Sequence, residues 1–482
     1  MVNPLNKRRV GLAQNRDSIY PPMALGIIAA LTPGHWEIEL HDENFEPFSF
    51  KEADLVGITA LTATITRAYE IAAVYREHGI KTILGGIHVS MLPEEAAQYA
   101  DCIVKGEAEG IWQSIIRDFE HGSLQPFYEG KLLPLAGSVT PRIDLYNKDY
   151  EFGTVQTTRG CPMACDFCSV HTFNGNCYRT RPLDEVLRDL EQIPQQNVYF
   201  IDDNLVGHNK IMAKRAVDLF KEMVRRGIKK DWWCSTSLNV ADNEEVLEWA
   251  AKSGCRMMFL GIESEDIEQL KANNKKVNVR IGVDHFEGVF QKLNQYGIAA
   301  LGAFIYGLET DTPEKMRART DYILNSGIDA IQATLLTPLP GTLLFDRYLK
   351  EGRIVYNNFP QDWERYHYAE VVFKPLLMER DELENEVNLN WARLYDLKQI
   401  KYRFIRSLKK TCQWTNCSTK LKALLPAGQK LTSAITSTIM LMNTTRRKFT
   451  ITSTKLNLIP SKKPCSRLVN QNIPRKKSDL CG

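Results

Sequence analysis

Three cysteines spaced four and three positions apart, Cys161, Cys165 and Cys168, are the side chains best placed to bind a metal centre. They follow a β-branched run that ends at Thr158, so they are predicted to lie on a loop at a strand end. A glycine before Cys161 and a proline after it bend this loop. Three thiolates do not complete a four-ligand structural site. Either a fourth ligand comes from elsewhere, or one metal position stays open for chemistry.

A structural zinc site is the competing interpretation of these cysteines. His171 and Cys177 lie close enough in the sequence to supply further ligands. However, the second Cys/His pair at the spacing that is typical of zinc fingers is absent. The spacing therefore favours a metal centre with an open position.

The string Cys161-x-x-x-Cys165-x-x-Cys168, with an aromatic residue before the last Cys and Arg-Gly-Cys-Pro leading into it, resembles the signature of the radical S-adenosylmethionine (SAM) enzymes. This resemblance implies a [4Fe-4S] cluster held by the three cysteines, with SAM bound to the fourth iron through its amino and carboxylate groups. It also implies reductive cleavage of SAM to a 5′-deoxyadenosyl radical.

Length and composition are those of a globular protein of two or three domains. The chain has 482 residues, of which 44% are hydrophobic and 25% are charged. A continuous apolar run of membrane-spanning length is absent, and the first ten residues are polar and basic, so neither a membrane span nor a secretory signal is expected. Eleven cysteines, mostly unclustered, fit a reducing compartment, and the sequence predicts a cytoplasmic protein.

The net charge of +3 conceals an uneven distribution. Residues 408–482 carry 15 Lys and Arg and one acidic residue, whereas residues 1–407 carry 46 basic and 57 acidic residues. Regular periodicity is lost beyond Ser407, so residues 408–482 are predicted to be a disordered basic tail. The basic clusters there could attract anionic lipid or nucleic acid, but the sequence carries no clear nucleic-acid function.

Residues 1–145 alternate strand and helix patterns, which predicts a doubly wound, Rossmann-like domain with a parallel sheet. Ligands of such sheets bind at the carboxyl ends of the strands. Small and polar residues cluster at those predicted ends: Thr59, Thr62, Gly85, Gly86, Gly106 and Glu107. Glycines there allow a ligand to approach the backbone closely, although tight turns between strand and helix would also explain them.

These strand ends, located before a radical SAM signature, resemble the cobalamin-binding domain of the cobalamin-dependent radical SAM subfamily. The resemblance implies that the Thr59/Thr62 region and the Gly85-Gly86 and Gly106-Glu107 turns surround the nucleotide tail of cobalamin. The Asp-x-His-x-x-Gly string that supplies a cobalt ligand in the original cobalamin fold is absent here. His41 and His88 are interpreted as turn residues rather than ligands.

Residues 146–345 repeat the strand and helix pattern six times, which predicts a partial, open-sided (β/α)6 TIM-like barrel. Two carboxylates, Asp202 and Asp203, follow one predicted strand; helix capping is the alternative for each. By resemblance to the radical SAM barrel, SAM-binding residues are expected at the second, fourth and fifth predicted strands: Asp202 and Asp203, then Glu263 in Gly-Ile-Glu-Ser, then Gly302 and Tyr306. The resemblance implies that the Glu263 carboxylate contacts either SAM or a neighbouring basic residue.

Residues 346–407 form a predicted C-terminal extension. An aromatic cluster that includes Trp363, Tyr366 and Phe373 could line a substrate cleft or form a small core. Residues Asp381 to Arg406 are predicted to be one helix.

The leading hypothesis is a radical SAM enzyme that transfers a methyl group through cobalamin to an unreactive carbon of a small-molecule or lipid substrate. The first alternative is cyclisation, oxidation or rearrangement without methyl transfer. The second is a non-enzymatic protein that senses cobalamin or a cluster. A thiomethylating RNA-modification enzyme is disfavoured because residues 1–145 contain only one cysteine, Cys102. Radical chemistry also implies an external electron donor such as flavodoxin or ferredoxin, whereas the catalytic residues and the substrate are not identified.

Overall fold

A computed structural model describes residues 1–8 and 20–411, and the predicted basic tail therefore lies outside the described residues from Cys412 onward. Within the described part of the chain, helices of sufficient length and apolarity to cross a bilayer are not found.

The first region is a six-stranded, entirely parallel sheet with the order β2-β1-β3-β4-β5-β6. Its strands are β1 (Val2–Asn3), β2 (His41–Asp42), β3 (Leu55–Thr59), β4 (Lys81–Gly85), β5 (Cys102–Gly106) and β6 (Phe127–Gly130). Its helices are α1 (Met23–Leu31), α2 (Ile65–Glu77), α3 (Ile87–Met91), α4 (Pro93–Ala96) and α5 (Trp112–Glu120). The strand order reverses between β1 and β3, which is where a doubly wound sheet opens a crevice for a ligand.

Apolar strands and amphipathic helices build this region as the sequence predicts. Val56 and Ile58 of β3 are buried, as are Ala68 and Ala72 of α2, which packs against the sheet. Gly79 follows α2 with a φ of 76°, a conformation that glycine adopts without strain, and the chain turns there into β4.

The second region is a six-stranded parallel sheet with the order β14-β13-β12-β11-β10-β7 and a separate two-stranded ladder, β8-β9. The strands are β7 (Phe152–Val155), β8 (Thr158–Arg159), β9 (Arg179–Thr180), β10 (Asn197–Phe200), β11 (Asp231–Thr236), β12 (Cys255–Glu263), β13 (Ala299–Tyr306) and β14 (Ala330–Leu335). The first and last strands of the large sheet, β7 and β14, do not pair with each other, so the barrel is partial and open. Both parts of the expected fold class are confirmed.

Helices follow the strands of the second region and cover its outer face. They are α6 (Val170–Phe173), α7 (Leu183–Gln192), α8 (Lys210–Arg225), α9 (Glu244–Lys252), α10 (Ile267–Ala272), α11 (Lys276–Ile281), α12 (Phe286–Gln295), α13 (Pro313–Asn325) and α14 (Leu343–Lys350). Residues that alternate along the strands pack against these helices, among them Phe200, Trp232 and Met258. The first sheet ends at Gly130 and the second begins at Phe152, so the predicted boundary between residues 145 and 146 falls in the connection.

The C-terminal extension differs from the sequence prediction in one respect. The single helix expected over residues 381–406 is two helices, α15 (Arg380–Leu394) and α16 (Leu397–Thr411). The chain breaks at Tyr395, whose hydroxyl accepts a hydrogen bond from the backbone N–H of Ala333 at 3.0 Å. This contact anchors the break to β14, and local helix propensity is overridden by tertiary packing. The aromatic cluster is a core, because Trp363, Tyr366 and Phe373 are all buried.

Candidate active site

The three-cysteine loop begins directly after β8 and ends before β9. Gly160 has a φ of 92°, and a Cβ atom there would lie 2.3 Å from the carbonyl oxygen of Cys177, so only glycine fits. Within the loop, the backbone N–H of Cys161 donates to Gly175 at 3.2 Å and that of Cys168 donates to Cys165 at 3.0 Å. The loop is therefore a folded turn that presents all three thiols.

The thiols are free and largely shielded from solvent. Cys165 is buried, and Cys161 and Cys168 are half-buried. Burial raises the pKa of the Cys168 thiol to about 11 and also raises the pKa values of the other two, while the Lys275 ammonium acts in the opposite direction. Metal binding must therefore displace protons from these groups.

The donor set fits a cluster better than a single ion. Among residues 1–8 and 20–411, Cys, His, Asp and Glu side chains do not converge in threes at single-ion distances. In an iron–sulfur cluster each thiolate binds its own iron, so the cysteines need not converge on one point. His171 and Cys177 thus do not complete a zinc site with the motif.

Asp202, expected to bind SAM, is enclosed by the strand that leads to the loop. Its carboxylate accepts hydrogen bonds from the Thr157 N–H at 3.1 Å, from the Thr157 hydroxyl at 2.8 Å and from the Thr158 hydroxyl at 2.6 Å. The residue is only 1% exposed, and this burial raises the pKa of its carboxyl group. These contacts indicate that Asp202 fixes the strand before the cysteine loop.

Asp203 lies closer to the loop and is more accessible. Its carboxylate accepts hydrogen bonds from the Gly160 N–H at 3.3 Å and from the Asn174 side chain at 3.2 Å. Burial raises the pKa of Asp203, and the Cys161 thiol is near enough to interact with it. Of the two carboxylates, Asp203 is the one positioned beside the cysteine loop.

Glu263 lies at the end of β12 in a left-handed conformation, with a φ of 67°. Its carboxylate pairs with Lys275, whose ammonium also interacts with the thiols of Cys165 and Cys168. Burial opposes the charge on Lys275, but Glu263 together with the thiols of Cys165 and Cys168 outweighs it and raises the pKa of the ammonium, which stays charged. The pair places both a cation and an anion next to the cysteine loop.

Gly302 and Tyr306, also expected to contact SAM, face the outer helices. A Cβ atom on Gly302 would meet Ile328 at 2.2 Å and Ile262 at 2.7 Å, both in the outer core. The Tyr306 hydroxyl bonds to Thr320 of α13 at 2.7 Å. Side chains alternate between the two faces of β13, so Ala303, which lies between these positions, points toward the barrel interior, whereas Tyr306 and a Cβ atom on Gly302 point outward.

A large cavity lies between the two sheets at the carboxyl ends of their strands. Its volume is about 570 Å³. The first region supplies five of the six residues predicted to bind cobalamin: Thr59, Gly85, Gly86, Gly106 and Glu107. The second region supplies Thr154, Gln156, Arg159, Asn174 and Ile201. The Tyr20–Met23 segment and Trp112 cover its apolar side.

Thr62 is the one predicted cobalamin residue that does not line the cavity. It is buried, and its hydroxyl bonds to Nδ1 of His88 at 3.2 Å, while Nε2 of His88 bonds to Glu95 at 3.2 Å. His88 lies in α3 and His41 in β2, so the interpretation of both as turn residues is wrong. Each is buried, because apolar neighbours enclose it: Trp363 for His88 and Phe48 for His41.

Three side chains of the site were missed by sequence reasoning. Lys275 lies on the segment after α10, 12 residues after Glu263; the resemblance allowed a basic partner for Glu263 but did not identify this lysine. Arg159 and Arg179 flank the cysteine loop, and both bind Glu107, at 3.1 Å and 2.5 Å. Their symmetrical positions, Thr-Arg before the loop and Arg-Thr after it, are the signal that could have identified them.

On fold and site together, this is an α/β protein with a loop of three shielded thiols and a large cavity at neighbouring strand ends. Residues 155–323 match the model of the radical SAM superfamily, and residues 9–116 match that of the B12 binding domain. The two matches cover the cysteine loop and all five cavity-lining residues predicted in the first region.

Curated relatives agree with these matches. The chain is 31% identical over 414 residues to bacteriochlorophyllide d C-8(2)-methyltransferase of Chlorobaculum tepidum, covering 80% of this chain and 88% of that protein. It is 29% identical over 351 residues to hopanoid C-2 methylase of Rhodopseudomonas palustris, covering 70% and 66%. The chain belongs to the cobalamin-dependent radical SAM enzymes. Its cofactors are a [4Fe-4S] cluster, SAM and cobalamin, and its activity is methyl transfer.

The fold is shared with solved structures at lower identity. The radical SAM methyltransferase TsrM from Kitasatospora setae, with cobalamin and cluster bound, superposes with a TM-score of 0.62 at 18% identity, covering 82% of this chain and 88% of that one. The cobalamin-dependent radical enzyme OxsB gives 0.63 at 16% identity, covering 89% and 71%.

Proposed function

We propose that this enzyme methylates an unreactive carbon of a small-molecule or lipid substrate that binds between the cysteine loop and the cavity. The observation that carries this proposal is the cavity itself, which both sheets line at their carboxyl ends, with Arg159 beside the loop in its wall. Relatives named for methylation of a bacteriochlorophyllide and of a hopanoid support a substrate of this kind.

Cys161, Cys165 and Cys168 would hold the cluster, and Lys275 and Asp203 would bind the charged end of SAM. When bound, the cluster supplies the electron for SAM cleavage and cobalamin carries the methyl group. Lys275 is positively charged and lies beside two of the thiols, so it suits a carboxylate at that position. Asp203 offers an acceptor to an ammonium group from the other side of the loop. Glu263 orients Lys275 through their ion pair.

Gly85, Gly86 and Gly106 would form the wall against cobalamin, together with Thr59. Gly86 and Gly106 have φ values of 102° and 79°, so the turns after β4 and β5 require glycine in any case. Gly85 does not have that constraint, and the space above it is open: a Cβ atom there would come no closer than 3.8 Å to a neighbour. Histidine ligation of cobalt is not part of this proposal, since neither His41 nor His88 lines the cavity.

An external reductant such as flavodoxin or ferredoxin would supply the electron. Beyond the motif, the cysteines of the described residues are Cys102, Cys177, Cys234 and Cys255, which are not spaced as a second three-cysteine motif. An electron source within residues 1–8 and 20–411 is therefore not apparent, and a protein donor is the simplest supply.

The test is anaerobic purification with cobalamin supplied, followed by quantification of iron, sulfide and cobalt and an assay of SAM products. About four irons per chain with bound cobalt is the expected loading. Both 5′-deoxyadenosine and S-adenosylhomocysteine should form with a substrate. Deoxyadenosine without S-adenosylhomocysteine, even with bacteriochlorophyllide and hopanoid substrates, would contradict methyl transfer and favour cyclisation, oxidation or rearrangement.

A further inference from the structure

The cysteine loop is closed by a very short ladder that carries two like charges. β8 and β9 are two residues long, and Arg159 pairs directly with Arg179 across them. Both guanidinium groups are mostly buried, with 14% and 13% of their side chains exposed. Two cations directly opposite each other in a ladder repel, so the closure of the loop requires an anion nearby.

Glu107 supplies that anion from the other region of the molecule. It follows β5 directly, and its carboxylate lies 3.1 Å from Arg159 and accepts two hydrogen bonds from Arg179, at 2.8 Å and 2.5 Å. The Leu133 N–H also donates to it at 3.3 Å. Only 6% of the Glu107 side chain is exposed, so solvent screens these interactions weakly. Burial alone would raise the pKa of Glu107, but the two arginines lower it and keep the carboxylate ionised.

The same carboxylate belongs to the cavity wall. Gly106, Glu107, Glu109 and Arg159 all line the cavity, and Glu109 pairs with Arg159 at 2.6 Å. By contrast, residues 161–168, which contain the three cysteines, do not line it. A ligand in the cavity therefore contacts the residues that close the loop without contacting the cysteines.

We propose that Glu107 is a positioning residue that couples occupancy of the cavity to the conformation of the cysteine loop. This inference rests on the proposed binding of cobalamin in the cavity. Glu107 was expected to contact the cofactor; its bonds to Arg159 and Arg179 give it a second role, in which it fixes the loop relative to the ligand. Because these bonds join the end of β5 to the β8-β9 ladder, the carboxylate links the cavity wall directly to the cysteine loop, and the Glu109–Arg159 pair is a second contact between the same two parts.

The test is amide hydrogen exchange of residues 161–168 in the full-length protein, with and without cobalamin. In the wild type, cobalamin should slow exchange in this segment by about tenfold, since Glu107 transmits the ordering of the cavity. Glu107→Gln keeps the shape of the side chain and removes its charge. At saturating cobalamin the Glu107→Gln variant should lose this protection of residues 161–168. Glu129→Gln, which breaks an exposed ion pair with Lys105 on the neighbouring strand, should behave as the wild type.

A double variant separates this role from simple damage to the fold. Arg179→Gln should also abolish the protection from exchange. The double variant Glu107→Gln with Arg179→Gln should show the same exchange rates as either single variant, because both changes remove the same interaction. Additive losses would contradict the coupling. Cobalamin binding by the wild type with equal protection in Glu107→Gln would overturn the coupling alone, whereas absence of cobalamin binding by the wild type would overturn the proposed function.

Discussion

Small residues at the carboxyl ends of β3, β4 and β5 border open space, whereas the Asp202 carboxylate after β10 is enclosed by its own chain. In the first region, glycines and Thr59 border an open cavity of about 570 Å³. In the second, Asp202 is surrounded by hydroxyl and N–H donors of the chain itself. Glycine at a strand end is therefore the more direct indicator of a ligand, because a carboxylate can be satisfied by its own protein.

In the second region the three thiols of the cysteine loop are free, so removing one of them should have the largest effect. Cys165→Ala removes a buried thiol, and cluster iron and SAM cleavage should both fall to background. Cys177→Ala, an exposed cysteine on the same loop outside the motif, is the matched control and should retain both. Iron content and 5′-deoxyadenosine measure the outcome. Full SAM cleavage by Cys165→Ala would contradict the proposal that these cysteines hold the cluster.

Filling the cavity with a large side chain at Gly85 should have the next largest effect. Gly85→Phe places a large ring in the cavity without backbone strain, because a Cβ atom there meets its nearest neighbour only at 3.8 Å. Cobalamin binding should weaken by about 100-fold or more, with iron content unchanged. Gly34→Phe, at a site with no atom within 4 Å of a Cβ, controls for the added ring. Equal cobalamin affinity in both variants would show that the cofactor binds elsewhere.

Removing the enclosed carboxylate of Asp202 should lower the stability of the fold rather than the affinity for SAM. Asp202→Ala leaves the N–H and hydroxyl donors of Thr157 and Thr158 without their acceptor, which should lower the free energy of unfolding by about 3 kcal/mol. Asp218→Ala, in an exposed pair with Lys214, should change it by less than about 1 kcal/mol. Urea unfolding measures both. A folded Asp202→Ala protein with normal stability and weaker SAM affinity would reverse the assigned role.

The smallest effect is expected at Thr62, which does not line the cavity, so this variant tests where the cavity ends. Thr62→Val removes the hydrogen bond to His88 and should cost about 1 kcal/mol of stability. Cobalamin affinity should stay the same, because the side chain lies outside the cavity. Thr64→Val, at a residue that does line it, provides the comparison in a cobalamin titration. A larger affinity loss for Thr62→Val than for Thr64→Val would contradict this placement.

Much of the fold was predictable because its signals are local. The two α/β regions predicted from alternating strand and helix patterns, residues 1–145 and 146–345, each contain a parallel sheet in the structure. Buried parallel strands are continuous apolar runs, and Thr312 caps α13 next to a proline at its first position. The break at Tyr395 was not predictable, because a contact with β14, some 60 residues earlier in the chain, produces it.

Site residues were predictable where they belong to one contiguous motif. They were not predictable where they depend on ion pairs between residues far apart in the chain. The cysteine loop and the strand-end glycines are read from neighbouring residues. The bonds of Glu107 join it to Arg179, 72 residues further along the chain, and neither composition nor spacing shows which carboxylate meets which guanidinium. For the same reason, the side on which Gly302 and Tyr306 face follows from sheet register, which short strings do not specify.

The C-terminal extension is tied to the first region over a great length of chain. The indole N–H of Trp363 donates to Glu95 of α4 at 2.9 Å, and the Asn6 side chain donates to the backbone of Glu364 at 3.1 Å. During synthesis the first 145 residues leave the ribosome long before residues 363 and 364 do. The first region therefore acquires these two supporting contacts only after the barrel has been made, so its packing is complete only once the C-terminal extension is in place.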